Sequence, residues 1–301
     1  MKALVVRPDG FCGVLLAGPA VRAVATRAAH VTVMCEPDGA PAARLLPHVD
    51  DVLAWDAPWE PPGPDRTDGD GFLRVLREAC YDVALVLAAQ GRSPLPTARL
   101  LRRARVRRIG ADGADGDDGL LDVGHRCLPG QDEAAAALDT AAAMGFLPRA
   151  GDDGRLRVIP PPDTTGLTGN GPYVVVHPGA DVWTPDRCSE AVAELADAGH
   201  RVVVTGGPEE TALTRYVSGA TAIDLGGRTD PRRLTGVLHA ADAVVAGAPG
   251  AAHLAAATGT PVVSLVPPAC LLGVPGIVLG QDDTTARDVA SAVRKLLAES
   301  A

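Results

Sequence analysis

The sequence predicts an α/β protein with doubly wound parallel sheets, on three observations. Short β-branched runs alternate along the chain with longer Ala-rich stretches of helical spacing, the pattern of repeated βαβ units. The apolar fraction is 47% but the aromatic fraction only 3%, so the core must be built from Val, Leu and Ala. Such residues suit buried parallel strands covered by small-residue helices. At 301 residues, the chain has length for two domains of roughly 150 residues each.

In the first half, strands are expected at residues 3–7, 31–35, 51–54, 83–87 and 108–110. Helical spacing lies between them at 19–29, 40–46, 72–79 and 96–104. Pro19 and Pro96 stand where a helix can begin without losing a needed N–H. Residues 58–71 (PWEPPGPDRTDGDG) and 111–119 (ADGADGDDG) read as loops, too rich in Pro, Gly and Asp for regular structure. The acidic stretch at 111–119 lacks the terminal Glu of a calcium-binding EF-hand loop, so no metal is expected there.

A second break at 151–171, containing IPPPDTTGLTGNG, reads as an interdomain linker. Beyond it the alternation restarts, with strands at 173–177, 201–205, 222–225, 243–245 and 262–265. Helices are expected at 186–198, 209–216, 231–240 and 251–258, with a closing amphipathic helix at 285–300. The expected domains are therefore 1–160 and 171–284, with the closing helix packed back on the first. A single long doubly wound domain is also compatible with the pattern.

A formal charge of −9 argues against a nucleic-acid groove, which needs clustered Lys and Arg. The run RLLRRARVRR at 99–108 reads as the solvated basic face of a helix, with a phosphate- or acceptor-facing patch as the sharper alternative. Six scattered cysteines without a CxxC pair fit reduced thiols rather than a zinc site or disulfide framework. Neither a signal peptide nor an apolar run of ~18 residues is present, so a cytoplasmic protein without a transmembrane segment is expected. Heavy use of Ala, Gly, Arg, Asp and Pro, with only two lysines, points to a high-GC, actinobacterial type of source.

Chemistry concentrates in four loops of the second half: His177-Pro178-Gly179-Ala180-Asp181, Thr205-Gly206-Gly207-Pro208-Glu209-Glu210, Gly226-Gly227-Arg228-Thr229 and Gly247-Ala248-Pro249-Gly250-Ala251-Ala252-His253. Each follows a strand. Ligands of open α/β sheets bind outside the carboxyl ends of the strands. Glycine lets backbone approach an anion there, and the next helix offers unpaired N–H groups. One such loop is ordinarily just a tight turn; four on one sheet edge favour a pocket. Neither a Walker A lysine motif nor a clean GxGxxG is present.

The stretches VVVHPGA, GHRVVVTGGPEE, DLGGRTDPRRLTGVLHAADAVV and PGAAHLAAATGTPVVSL resemble glycosyltransferase family 9, the ADP-heptose:lipopolysaccharide heptosyltransferases. In the first half VVRPDGFCGVLLAGPAVRAV, LLPHVDDVLAWDAPW and RSPLPTARLLRRARVRRIG resemble it too. The resemblance implies a GT-B fold, two Rossmann-like domains facing a cleft. It also implies inverting sugar transfer without a metal or resident cofactor. The donor, an ADP- or other nucleotide-linked sugar, would bind the C-terminal domain, and a glycan or small-molecule acceptor the N-terminal one. By position, Gly179 and Ala180 would lie near the phosphates, Glu209 or Glu210 at the ribose, and Gly227, Arg228 and Thr229 around the base, with Gly207 in the same cradle. Gly250, flanked by Pro249 and Ala251, would offer a backbone N–H to the diphosphate. His253 would offset leaving-group charge, or else serve packing or capping.

Departures from the family pattern accompany the resemblance. Gly13 stands where the family's GDVLL has its aspartate, which resembles the general base. Asp9, in the same loop, is the candidate substitute, although four residues along a loop implies a different direction in space. Ala248-Pro249-Gly250 replaces DTG, and the basic residues before a Trp-Pro are reduced to Asp181-Val182-Trp183-Thr184-Pro185, with Arg187 as a candidate replacement cation. Three readings follow: an active glycosyltransferase, a pseudo-glycosyltransferase acting as a binding or scaffold protein beside an active paralogue, or different chemistry on a sugar nucleotide or small metabolite.

Overall fold

In a computed structural model, the chain forms two compact units, Met1–Arg155 and Leu156–Ala301. The structure describes residues 1–55, 69–88, 92–112, 119–128, 130–179, 183–266, 274–280 and 284–300. Most of the two acidic loop segments expected at 58–71 and 111–119 lies outside these residues. The described ends differ from the loop reading, because 69–71 open a helix and Ala111 and Asp112 close a strand.

The first unit holds one parallel sheet of β1 (Lys2–Arg7), β2 (His30–Cys35), β3 (Asp51–Ala54), β4 (Val83–Val86), β5 (Arg108–Asp112) and β6 (Val123–His125). Its order is β3-β2-β1-β4-β5-β6. This is the doubly wound Rossmann order, whose switch point falls between the first and fourth strands. The helices are α1 (Phe11–Leu16), α2 (Gly18–Ala25), α3 (Ala40–Ala43), α4 (Gly69–Ala79), α5 (Leu95–Arg103) and α6 (Glu133–Ala143). Leu4, Val6, Ala84, Val86, Leu101 and Ile109 meet in one fully buried layer, as apolar central strands require. The run at 99–108 finishes α5 and enters β5 at its amino end, the sheet edge opposite the β1–α1 turn. Arg102 ties this corner together by pairing with Asp122 at 2.7 Å and donating to the carbonyl of Leu120.

The second unit repeats the plan. It contains α7 (Thr165–Thr168), β7 (Val174–His177), α8 (Pro185–Asp197), β8 (Val202–Val204), α9 (Thr211–Ser218), β9 (Ile223–Asp224), α10 (Pro231–His239), β10 (Ala243–Ala246), α11 (Pro249–Thr258), β11 (Val262–Ser264), β12 (Gly276–Val278) and α12 (Ala286–Ser300). The order β12-β11-β10-β7-β8-β9 is the same topology read from the other side, with its switch point between β7 and β10. Two separate sheets exclude the single-domain alternative.

Several expectations need correction. The closing helix belongs to the second unit: Val289, Ala290, Val293 and Leu296 of α12 join Val192, Leu195, Val245 and Val263 in its core. Its apolar stripe completes the sheet face beside α8. The 151–171 break is not plain linker. Arg22 holds Asp152 in a bidentate pair at 2.8 Å on one side, and α7 is bound by Arg201 through the carbonyls of Thr168 and Asn170 on the other. A short strand, β12, precedes the last helix where the sequence pattern gave none. Finally, α11 begins at Pro249 rather than 251, since proline fits the first helical position.

Candidate functional site

At the carboxyl edge of the second sheet, the four glycine-bearing turns are physically joined. The N–H of Gly247, after β10, donates to the carbonyl of His177, at the end of β7, at 2.8 Å. The contact leaves no room for side chains: a Cβ on Gly179 would fall 2.0 Å from the carbonyl oxygen of Gly247. One strand over, the N–H of Gly227 donates to the carbonyl of Gly206 at 3.0 Å. Gly227 takes φ +66°, the left-handed region open to glycine, and a Cβ there would meet Pro208 and Thr211. His177 Nδ1 and Thr205 Oγ1, 2.9 Å apart, connect the two pairs of turns.

Side chains within this edge are partly committed. The Glu210 carboxylate accepts from the N–H of Gly207 at 2.7 Å, closing its own turn, whereas Glu209 is exposed and folds over Gly207. Arg228 is exposed and donates to the carbonyl of Asp224; Thr229 is partly buried. Gly250 and Ala251 occupy the first turn of α11, whose N-cap residue, Ala248, supplies no side-chain acceptor. By contrast α8 and α10 are capped by Thr184 and Asp230. An uncapped first turn presents backbone N–H groups and the positive end of the helix dipole to an anion. His253 is 5% exposed. It is the fifth residue of α11, inside the helix and not at its N-cap. Arg187 stacks over Trp183 and donates to the carbonyl of Thr284 at 2.8 Å, so it braces α8 against the segment entering α12. Ala180 lies outside the described residues.

The first unit carries a second polar cluster at its own switch point. Arg7 ends β1 and is 5% exposed. Its guanidinium reaches Asp9 Oδ2 at 2.7 Å, Glu133 Oε2 at 2.5 Å and, weakly, the carbonyl of Ala88 at 3.5 Å. Asp9 donates its own N–H back to the carbonyl of Arg7 at 2.8 Å in a tight turn, and Gly10 then caps α1. Asp9 and Gly13 consequently face each other across one helical turn. A Cβ at position 13 would lie 2.6 Å from both Cβ and Oδ2 of Asp9, so the aspartate fills the space of the missing side chain. The expected divergence of these two residues is corrected: α1 brings them together. Burial pushes the Asp9 carboxyl above its ordinary 3.8, opposed by Arg7 and Arg92 and reinforced by Glu133 and Glu36. Burial, Asp9 and Glu133 likewise raise the thiol of Cys12. Arg7 and Glu133 escaped the sequence reading, and His177 entered it only as the first residue of a glycine-bearing loop. The position of Arg7 at a strand end could have signalled it.

Comparison with known proteins adds a family likeness over part of the chain. The sequence model of glycosyltransferase family 9 (heptosyltransferase) matches residues 130–269. The resemblance to family 9 is borne out. The family 9 glycosyltransferase from Veillonella parvula superposes with TM-score 0.79 at 16% identity, over 99% of this chain and 97% of that one. The ADP-heptose LPS heptosyltransferase II of E. coli gives 0.74 at 20% identity, over 100% and 99%. An E. coli heptosyltransferase solved with ADP-2-deoxy-2-fluoro heptose gives 0.73 at 20% identity, over 100% of each chain. At these identities the likeness establishes the GT-B type of fold for the family 9-like chain. No curated protein sequence matches. Among the described residues no helix is long and apolar enough to cross a membrane, and no group of three His, Cys, Asp or Glu side chains could hold a metal ion.

Proposed function

We propose that the chain is a nucleotide-sugar glycosyltransferase that moves a heptose or related sugar from a nucleoside diphosphate to a hydroxyl of a glycan or specialised metabolite, with inversion and without a metal. The donor's diphosphate would lie over Gly179, Gly207 and the first turn of α11 at Pro249, Gly250 and Ala251, with Glu209 and Gly227–Thr229 toward the nucleoside. Glu209 is favoured over Glu210 for the ribose, because Glu210 is spent on the turn itself. Asp9 would accept the proton as the acceptor oxygen attacks the anomeric carbon. The C–O bond to the nucleoside diphosphate breaks, and its charge is met by the α11 dipole and by His253.

One observation carries this reading: the Asp9 carboxylate occupies the volume that a side chain at position 13 would fill. The resemblance puts the family's aspartate at 13, so the charge absent there is present from a residue one turn earlier. Burial that raises its pKa suits a base working nearer neutral pH.

A scaffold reading, in which the chain supports an active paralogue, is favoured by the apolar Ala248 and by Arg187 being engaged at Thr284. Calorimetry with ADP, followed by a turnover assay on ADP-sugars, separates the two. Binding with turnover that Asp9→Asn lowers by about 10²–10⁴-fold supports transfer; binding without turnover supports the scaffold. No nucleotide binding removes both.

A further inference from the structure

We propose that Glu133 is a positioning residue for the Asp9 carboxylate, acting through the buried guanidinium of Arg7. This inference rests on the reading of Asp9 as the base. Glu133 is 126 residues from Arg7 in sequence and reaches it from the first turn of α6. It is not needed to cap that helix. The Asp132 side chain already accepts from the N–H groups of Ala134 and Ala135.

The geometry is that of one cation shared by two carboxylates. Arg7 presents Nε to Asp9 and Nη2 to Glu133, with its side chain 6% exposed. The Nη2–Glu133 contact is a directional, charge-assisted hydrogen bond, whereas the Nε–Asp9 contact at 2.7 Å is an ion pair out of hydrogen-bond alignment. Anchoring its far end on Glu133 therefore fixes the end that meets Asp9, and holds the aspartate against Gly13. The trio carries one net negative charge, so Arg7 does not fully offset Asp9. Five charged or titratable groups face Asp9: Arg7 on β1, Cys12 on α1, Glu36 after β2, Arg92 after β4 and Glu133 on α6. Glu133 is the carboxylate among them that shares Arg7 directly. Arg92 instead sits 3.4 Å from Glu36, a separate pair on the rim.

Removing the charge at Glu133 would leave Arg7 to Asp9 alone, and the aspartate would hold its proton less readily. The test is Glu133→Gln in the full chain, with the Asp9 carboxyl carbon titrated by NMR and kinetics followed across pH. The expected result is an Asp9 titration displaced to lower pH, an acid limb of kcat displaced the same way, and a kcat about tenfold lower with KM little changed. Glu133→Asp, which keeps the charge, should recover part of each effect. An Asp9 titration that is the same in Glu133→Gln and wild type overturns the proposal, whatever the activity. A displaced titration in a protein without turnover keeps the positioning role and removes only the transferase reading. Should Glu133→Gln fail to fold, Glu133→Ala, which also removes the charge, is read by the same criterion: an Asp9 titration that does not move overturns the proposal.

Discussion

Asp9 and Gly13 form a packed pair in which one residue's side chain uses the other's empty space. Because a Cβ at 13 would lie 2.6 Å from Asp9 atoms, Gly13→Ala should displace the aspartate and cost about 1–3 kcal/mol as an overpacked site. Chemical denaturation checks the loss, and a fall in turnover with little change in ADP affinity would accompany it. His177 makes a second prediction at this scale. Burial holds its pKa below the ordinary 6.5, against the pull of Glu210. The folded state thus binds fewer protons than the unfolded one just below pH 6.5. Stability supported by neutral His177 is present above 6.5 and lost as pH falls toward the lowered value. The unfolding midpoint should drop over that window, and His177→Asn should flatten the drop. At the residue scale the sequence was only half legible. Asp9 could be named as the substitute base, but its direction depended on α1, whose six residues FCGVLL carry no cap or period that marks a helix.

Among the elements, the paired glycine turns are what shape the C-terminal edge. Gly179 and Gly247 touch backbone to backbone, so Gly247→Ala, like Gly179→Ala, would force β7 and β10 apart at the switch point. Calorimetry should show ADP binding weakened at least tenfold, whereas alanine at Gly199, whose Cβ meets nothing within 4 Å, should leave the site intact despite its strained φ of +87°. The turns were legible because glycine, proline and strand ends are all local signals. Other elements were not. β6 and β12 are three residues long, and α6 (EAAAALDTAAA) has alanine on every face, so its burial pattern is set by neighbours rather than by sequence. Missing α6 meant missing Glu133, the one member of the Arg7 cluster supplied from far along the chain.

The whole molecule is two copies of one topology, each with polar groups gathered where the strand order reverses. Alternating patterns and a Val-rich, aromatic-poor composition made that architecture readable. They could not assign α12, because an amphipathic helix fits either sheet and only packing decides. Its home in the second core predicts that Leu296→Ala costs about 2–5 kcal/mol. Hydrogen exchange should speed up in α8 and β10 and stay unchanged in β1 and β4; the opposite pattern would return the helix to the first unit. The most direct test of a base displaced from 13 to 9 is a swap. Asp9→Ala should abolish sugar transfer, and the double variant Asp9→Gly/Gly13→Asp, which also removes the Asp9 Cβ that would lie 2.6 Å from the new one, should restore much of kcat. A double variant as inactive as Asp9→Ala, folded and still binding ADP, would contradict the account.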